Sequence, residues 1–69
     1  MSMTVEASVV RQTARKLGID EAQVTKDTLV PDVLVVAKYV SIDTNRGAAL
    51  TSDDEASCTV ERLIELFLQ

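Results

Sequence analysis

Few side chains in this sequence could carry covalent chemistry: a single cysteine, Cys58, and no histidine anywhere in the 69 residues. A hydroxyl or thiol is a weak nucleophile near neutral pH unless a neighbouring base sharpens it, and imidazole is the usual one. Hydrolase and protease chemistry therefore drops out, and no catalysis by this chain is expected. A lone thiol forms no internal disulfide, and without His the common zinc ligand sets cannot be assembled. Cys58 reads as a small buried apolar residue. What remains are carboxylates, eleven against seven basic residues, for a net charge of −4. That balance repels a phosphate backbone and suits a basic partner surface, although it also serves simply to keep a small domain soluble.

The elements that must position these groups show in the apolar spacing. The chain is one domain, residues 1–69, and so short a domain buries only about 60% of its unfolded surface. With Tyr39 and Phe67 as its only aromatic residues, the core must be built from Val, Leu, Ile and Ala. Thr4 can cap a first helix, roughly 4 to 17, in which Val5, Val9, Val10, Ala14 and Leu17 form one stripe. Arg11, Gln12, Arg15 and Lys16 lie on the other face, and Gly18 is the stop. Asp20 and Gln23 have capping-box spacing for a short turn, with Ile19 and Val24 as apolar flanks. Thr25 to Asp32 reads as a loop, and its Pro31 can open a following helix.

Val33 to Ile42 is rich in β-branched residues and so has strand propensity, yet Val33, Val36, Ala37 and Val40 also satisfy helical spacing. No other segment offers this run a partner strand, which favours a helix over roughly 32 to 42. Asp43 to Ser57 reads as a loop with at most one short helical turn. Val60, Leu63, Ile64, Phe67 and Leu68 then mark a last helix, roughly 58 to 68, behind Thr59. The fold class expected is all-α, a small bundle of three to four helices. The longest apolar run, Val33 to Ala37, is too short to span a bilayer and no secretory leader opens the chain, so a cytoplasmic protein with no membrane association is expected. A helix-turn-helix DNA-binding role is opposed by the net charge. The one basic cluster, Arg11 to Lys16, reads as the solvent face of the first helix.

The segment Val9 to Thr28, VVRQTARKLGIDEAQVTKDT, preceded by Val5, resembles the first helix and early loop of acyl carrier proteins: an amphipathic helix ending in Leu-Gly, then Ile, an acidic turn and Val-Thr. Ser52 to Gln69, SDDEASCTVERLIELFLQ, is similar to that family's acidic third-helix region and its last helix, which commonly begins at Thr-Val. The two stretches cover a little over half the chain. The resemblance implies an acyl or peptidyl carrier of fatty-acid, polyketide or related biosynthesis, holding its thioester-linked cargo on a covalent 4′-phosphopantetheine arm. It implies as partners a phosphopantetheinyl transferase and acyl-transferring enzymes with basic docking surfaces, and a monomer or weak dimer. Asp32, Asp43, Asp53, Asp54 and Glu55 would dock on those enzymes, or else serve as a solvated face and helix caps.

The family's Asp-Ser-Leu attachment motif, at the start of its second helix, does not occur here, and the middle of the chain is several residues short. Two registers are open. In one, Ser41-Ile42-Asp43-Thr44 begins the second helix and Ser41 carries the arm, with Val40 in place of the motif aspartate. In the other, Asp27-Thr28-Leu29 takes the motif's place, the helix runs through Val36 and Val40 to end at Ile42-Asp43-Thr44, and Thr28 replaces the serine. The alternative to both is a carrier-like domain without an arm, acting as a structural or regulatory protein-binding module through an apolar groove between its helices, with exposed Val or Leu from Val33 to Val40 supplying the contact. The attachment chemistry asks for an exposed hydroxyl at a helix amino end, where free N–H groups and the dipole favour phosphate.

Overall fold

The computed structural model describes residues 3–69 and folds them into four α-helices: α1 (Val5–Leu17), α2 (Val33–Thr44), α3 (Ser52–Ala56) and α4 (Val60–Leu68). A 3-10 turn spans Glu21–Gln23, and no strand occurs among the described residues, only an isolated bridge between Leu29 and Thr59. The architecture is thus the expected all-α bundle. α1 is its centre, packing against both α2 and α4.

α1 starts where Thr4 Oγ1 accepts the Ala7 N–H at 3.2 Å, and ends where Gly18, at φ 70, turns its N–H back to the carbonyls of Ala14 and Arg15. Only a residue tolerant of the left-handed region closes a helix this way cheaply. The buried face is wider than the apolar stripe. Val5, Val9 and Ala14 are inside, but so are Ser8, Gln12 and Thr13, whereas Leu17 is exposed. Gln12 is therefore not a solvent residue. A helix flanked by two neighbours must bury more than one stripe, and here the second contact is polar.

Thr13 is fully buried, and its hydroxyl has no hydrogen-bond partner among the described residues. Leaving a hydroxyl dry and unpaired costs on the order of 1–3 kcal/mol. Thr13→Val keeps the shape and removes that cost. The variant is expected to gain about 1 kcal/mol, or roughly 4–8 °C in Tm for a domain of this size, measured by thermal unfolding. An unchanged or lower Tm would mean that the hydroxyl is satisfied in solution.

The β-branched run forms a helix: Val33, Val36, Ala37 and Val40 point inward at i, i+3, i+4 and i+7. Both ends are set by non-glycine residues in the left-handed region, Asp32 at φ 45 and Asn45 at φ 55. Because Asp32 departs from helical geometry, Pro31 stands outside α2 and does not open it. At the far end the Asn45 N–H reaches the Ser41 carbonyl at 2.8 Å, and Thr44 Oγ1 donates to the Val40 carbonyl at 2.7 Å. α2 thus runs two residues further than the spacing suggested.

The loop before α2 is clamped to the start of α4. Val60 and Glu61 donate their N–H groups to the carbonyls of Thr28 and Lys26 at 2.9 and 3.1 Å, and Val30 donates to Cys58 at 2.8 Å. With Thr59 Oγ1 accepting from the Arg62 N–H at 3.2 Å, the α4 donors that a free helix end would leave open are taken up by the chain itself. α3 fills part of the stretch read as loop, its first turn closed by a capping box between Thr51 and Asp54. Seven of the eleven residues in the core cluster are valine, joined by Ala37, Cys58, Leu63 and Phe67. The interior is accordingly small and stiff, and the two largest side chains, both on α4, carry a disproportionate share of its volume.

Candidate functional site

The helix start expected at Ser41 is not there. Ser41 stands half-buried in the last turn of α2, where the dipole presents its negative end and the Ser41 carbonyl is already engaged by Asn45. Thr28 lies in a turn, its Oγ1 accepting the Thr25 N–H at 2.9 Å, four residues ahead of the Asp32 cap. Neither hydroxyl meets free helical N–H groups. α2 ends at Ile42, Asp43 and Thr44 as in the second register, but it starts at Val33 and not at Asp27-Thr28-Leu29. The residues that open α2 read Asp32-Val33-Leu34. The first residue of α2, Val33, carries no hydroxyl and is only 5% exposed.

The carboxylates expected to form a docking surface are mostly turned to structural work. Asp43 Oδ2 accepts the Ser8 hydroxyl at 2.9 Å and the Gln12 amide at 2.8 Å, tying the end of α2 to α1. The Gln12 bond, with the Ser8 bond and the nearby Arg11 and Arg15 guanidinium groups, holds its carboxyl below the ordinary value against the desolvation that would raise it. Asp54 accepts from Arg62 Nε at 3.1 Å and from the Thr51 N–H and hydroxyl at 3.1 and 2.9 Å. The Arg62 bond leads in lowering its pKa, and the same contact raises that of Arg62. Asp32 pairs with Lys16 at 3.2 Å, which leaves Asp53 and Glu55 as the exposed members of the set without such a partner among the described residues. Cys58 is buried, and burial followed by the Asp54 charge pushes its thiol up, away from the reactive thiolate form.

α2 has a second apolar face. Opposite its core residues, Leu34 is 58% exposed and Ile42 67%, with Val35 and Tyr39 also open to water. Their positions at i, i+1, i+5 and i+8 bring them onto one side of the helix around Lys38. Isolated exposed apolar residues are ordinary, but four large ones sharing one helix face are not. Beside them a cleft of about 360 Å³ opens between α2 and α1, floored by Val35, Val36 and Tyr39 and edged by Gln12, Arg15 and Lys16. Lys38 stands within the face and Arg15 beside it, Lys16 is already paired with Asp32 at 3.2 Å, and at the other end Asp32 and Glu55 share a cleft with Leu34 and Val35, so the border is cationic along α1 and acidic at the start of α2. The sequence signal was present in the unbroken run Val33 to Val36, which is apolar on consecutive positions and so cannot all turn inward from a helix. The surface combines apolar anchors with a cationic edge along α1. Among the described residues, no helix is long and apolar enough to cross a membrane, and no cluster of acidic or thiol side chains is arranged to hold a metal ion. No family model, curated protein or solved structure matches the chain.

Proposed function

We propose that the chain is a helical docking module: a carrier-like order of helices without a prosthetic arm, binding a protein partner through the outward face of α2. The observation that carries this reading is α2 itself, apolar on both sides, with Leu34, Val35, Tyr39 and Ile42 outside and a buried Val33, without a hydroxyl, as its first residue. A partner helix laid along this face would bury apolar side chains against Tyr39 and set carboxylates toward Arg15 and Lys38. The acidic-to-basic docking implied by the carrier resemblance is reversed in sign at this surface.

Two measurements test the reading. Helical peptides selected from a randomised library against the whole chain should be apolar on one face with acidic flanks, and Tyr39→Ala should weaken them at least about tenfold, as loss of a central aromatic anchor does. Selected peptides indifferent to Tyr39→Ala and to Ile42→Glu would sink the α2 assignment. Incubation with coenzyme A and a promiscuous phosphopantetheinyl transferase should leave the intact mass unchanged. A gain of about 340 Da, the mass of the arm, that Ser41→Ala abolishes would restore the carrier reading and remove this one.

A further inference from the structure

On the opposite flank of α1 from α2 lies a second apolar groove, of about 470 Å³, between α1 and α4. Its floor is Val10, Val24, Val60 and Ile64, the last three contributed by the loop and by α4. Exposed Leu68 continues the same face of α4, four residues beyond Ile64. The rim carries Glu6, Glu61 and Glu65, with Lys26 at one side, opposite in sign to the Lys38 and Arg15 of the α2 face.

The two surfaces match in two respects. One presents a stripe of apolar side chains on a convex helix and the other receives them in a groove. Lys38 stands in the middle of the stripe, and Glu61 and Glu65 stand on the rim that would meet it. Resting on the docking reading above, we infer that the occupant of the α2 face is a second copy of this chain, whose α1–α4 groove receives it with Lys38 against Glu61 and Glu65. The net charge of −4 opposes this only at long range. Near physiological salt the screening length is about 8 Å, so pairs in contact outlast the general repulsion. Because stripe and groove lie on different flanks of α1, the contact is head-to-tail. Each added copy still offers a free stripe or groove, and the product is a short chain or a ring rather than an isologous dimer.

Sedimentation of the whole chain between about 10 μM and about 1 mM should show the mean mass rising roughly two-fold or more, as a small interface permits. Lys38→Glu alone, and Glu61→Lys with Glu65→Lys, should each stay monomeric over that range while keeping the helical circular-dichroism spectrum of the parent. Mixing the two variants should restore association, because every junction then pairs opposite charges. A parent that stays monomeric throughout, charge variants that assemble like the parent, or a mixture that fails to recover would each overturn the self-pairing. Peptides that still require Tyr39 in a strictly monomeric chain would leave the docking reading standing without it, whereas loss of both results would remove both.

Discussion

Phe67→Ala is expected to unfold the domain at or near room temperature. Phe67 is 1% exposed on the inner face of α4, packed with Leu63 into a core otherwise made of valine, alanine and one cysteine. Truncating a buried phenylalanine costs about 3–5 kcal/mol through lost transfer energy and the cavity left behind. Valines restricted at χ1 and fixed to helices on three sides have little freedom to collapse into that space. A chain of this length has a total stability of only about 5 kcal/mol, so the loss consumes most of it. The backbone carbonyl at this position accepts from Arg46 at 3.4 Å, so the loop after α2 is released only when the end of α4 itself melts. Circular dichroism at 25 °C should show most of the helical signal gone, with Phe67→Leu recovering the greater part. A cooperative transition in Phe67→Ala with Tm within a few degrees of the parent would mean that the valine core repacks far more readily than its composition suggests.

α4 was the element most plainly written in the sequence: Thr59 caps it as read, and Val60, Leu63 and Phe67 of the expected stripe are buried, although Leu66 takes the inward place expected of Leu68, which is exposed. α1 was legible at its ends, through Thr4 and Gly18, but not around its circumference. Apolar spacing cannot show that Ser8 and Gln12 are buried, because α2 supplies the matching carboxylate from more than thirty residues away, nor that Thr13 is buried with no partner at all among the described residues. The middle of the chain was harder for a different reason. Where α2 starts and stops is decided by Asp32 and Asn45 entering the left-handed region, a conformation glycine announces and these residues do not. With the start of α2 undetermined, Ser41 could be placed at a helix beginning when it belongs to a helix end. The outward apolar face was visible as an excess of apolar residues in one short run. Its cationic border needed the packing of α1 against α2 to bring Arg15 and Lys16 beside Tyr39.

Asp43→Ala should be the most damaging polar substitution. Its carboxylate is the shared acceptor for the buried Ser8 hydroxyl and the buried Gln12 amide, so its removal strands two donors between α1 and α2. Donors left dry each cost on the order of 1–3 kcal/mol, and some of that is recovered as water enters. A net loss of about 2 kcal/mol in chemical denaturation is expected. Asp43→Asn should lose less, because its amide oxygen still accepts one bond. In the Ser8→Ala, Gln12→Leu background the effect of Asp43→Ala should shrink markedly, since no donors remain to be stranded. The same contacts set the acid limit of the fold. Asp43 and Asp54 are both held below the ordinary carboxylate pKa in the native state, so they bind protons less readily folded than unfolded. Their contribution is fully present above the unfolded value of about 3.9 and is lost as pH falls through the lower native values. Stability should therefore be flat from about pH 8 to about pH 5 and decline below about pH 4, with a shallower decline in Asp43→Asn. A decline of unchanged steepness in that variant would assign the acid sensitivity to other carboxylates and leave Asp43 as packing alone.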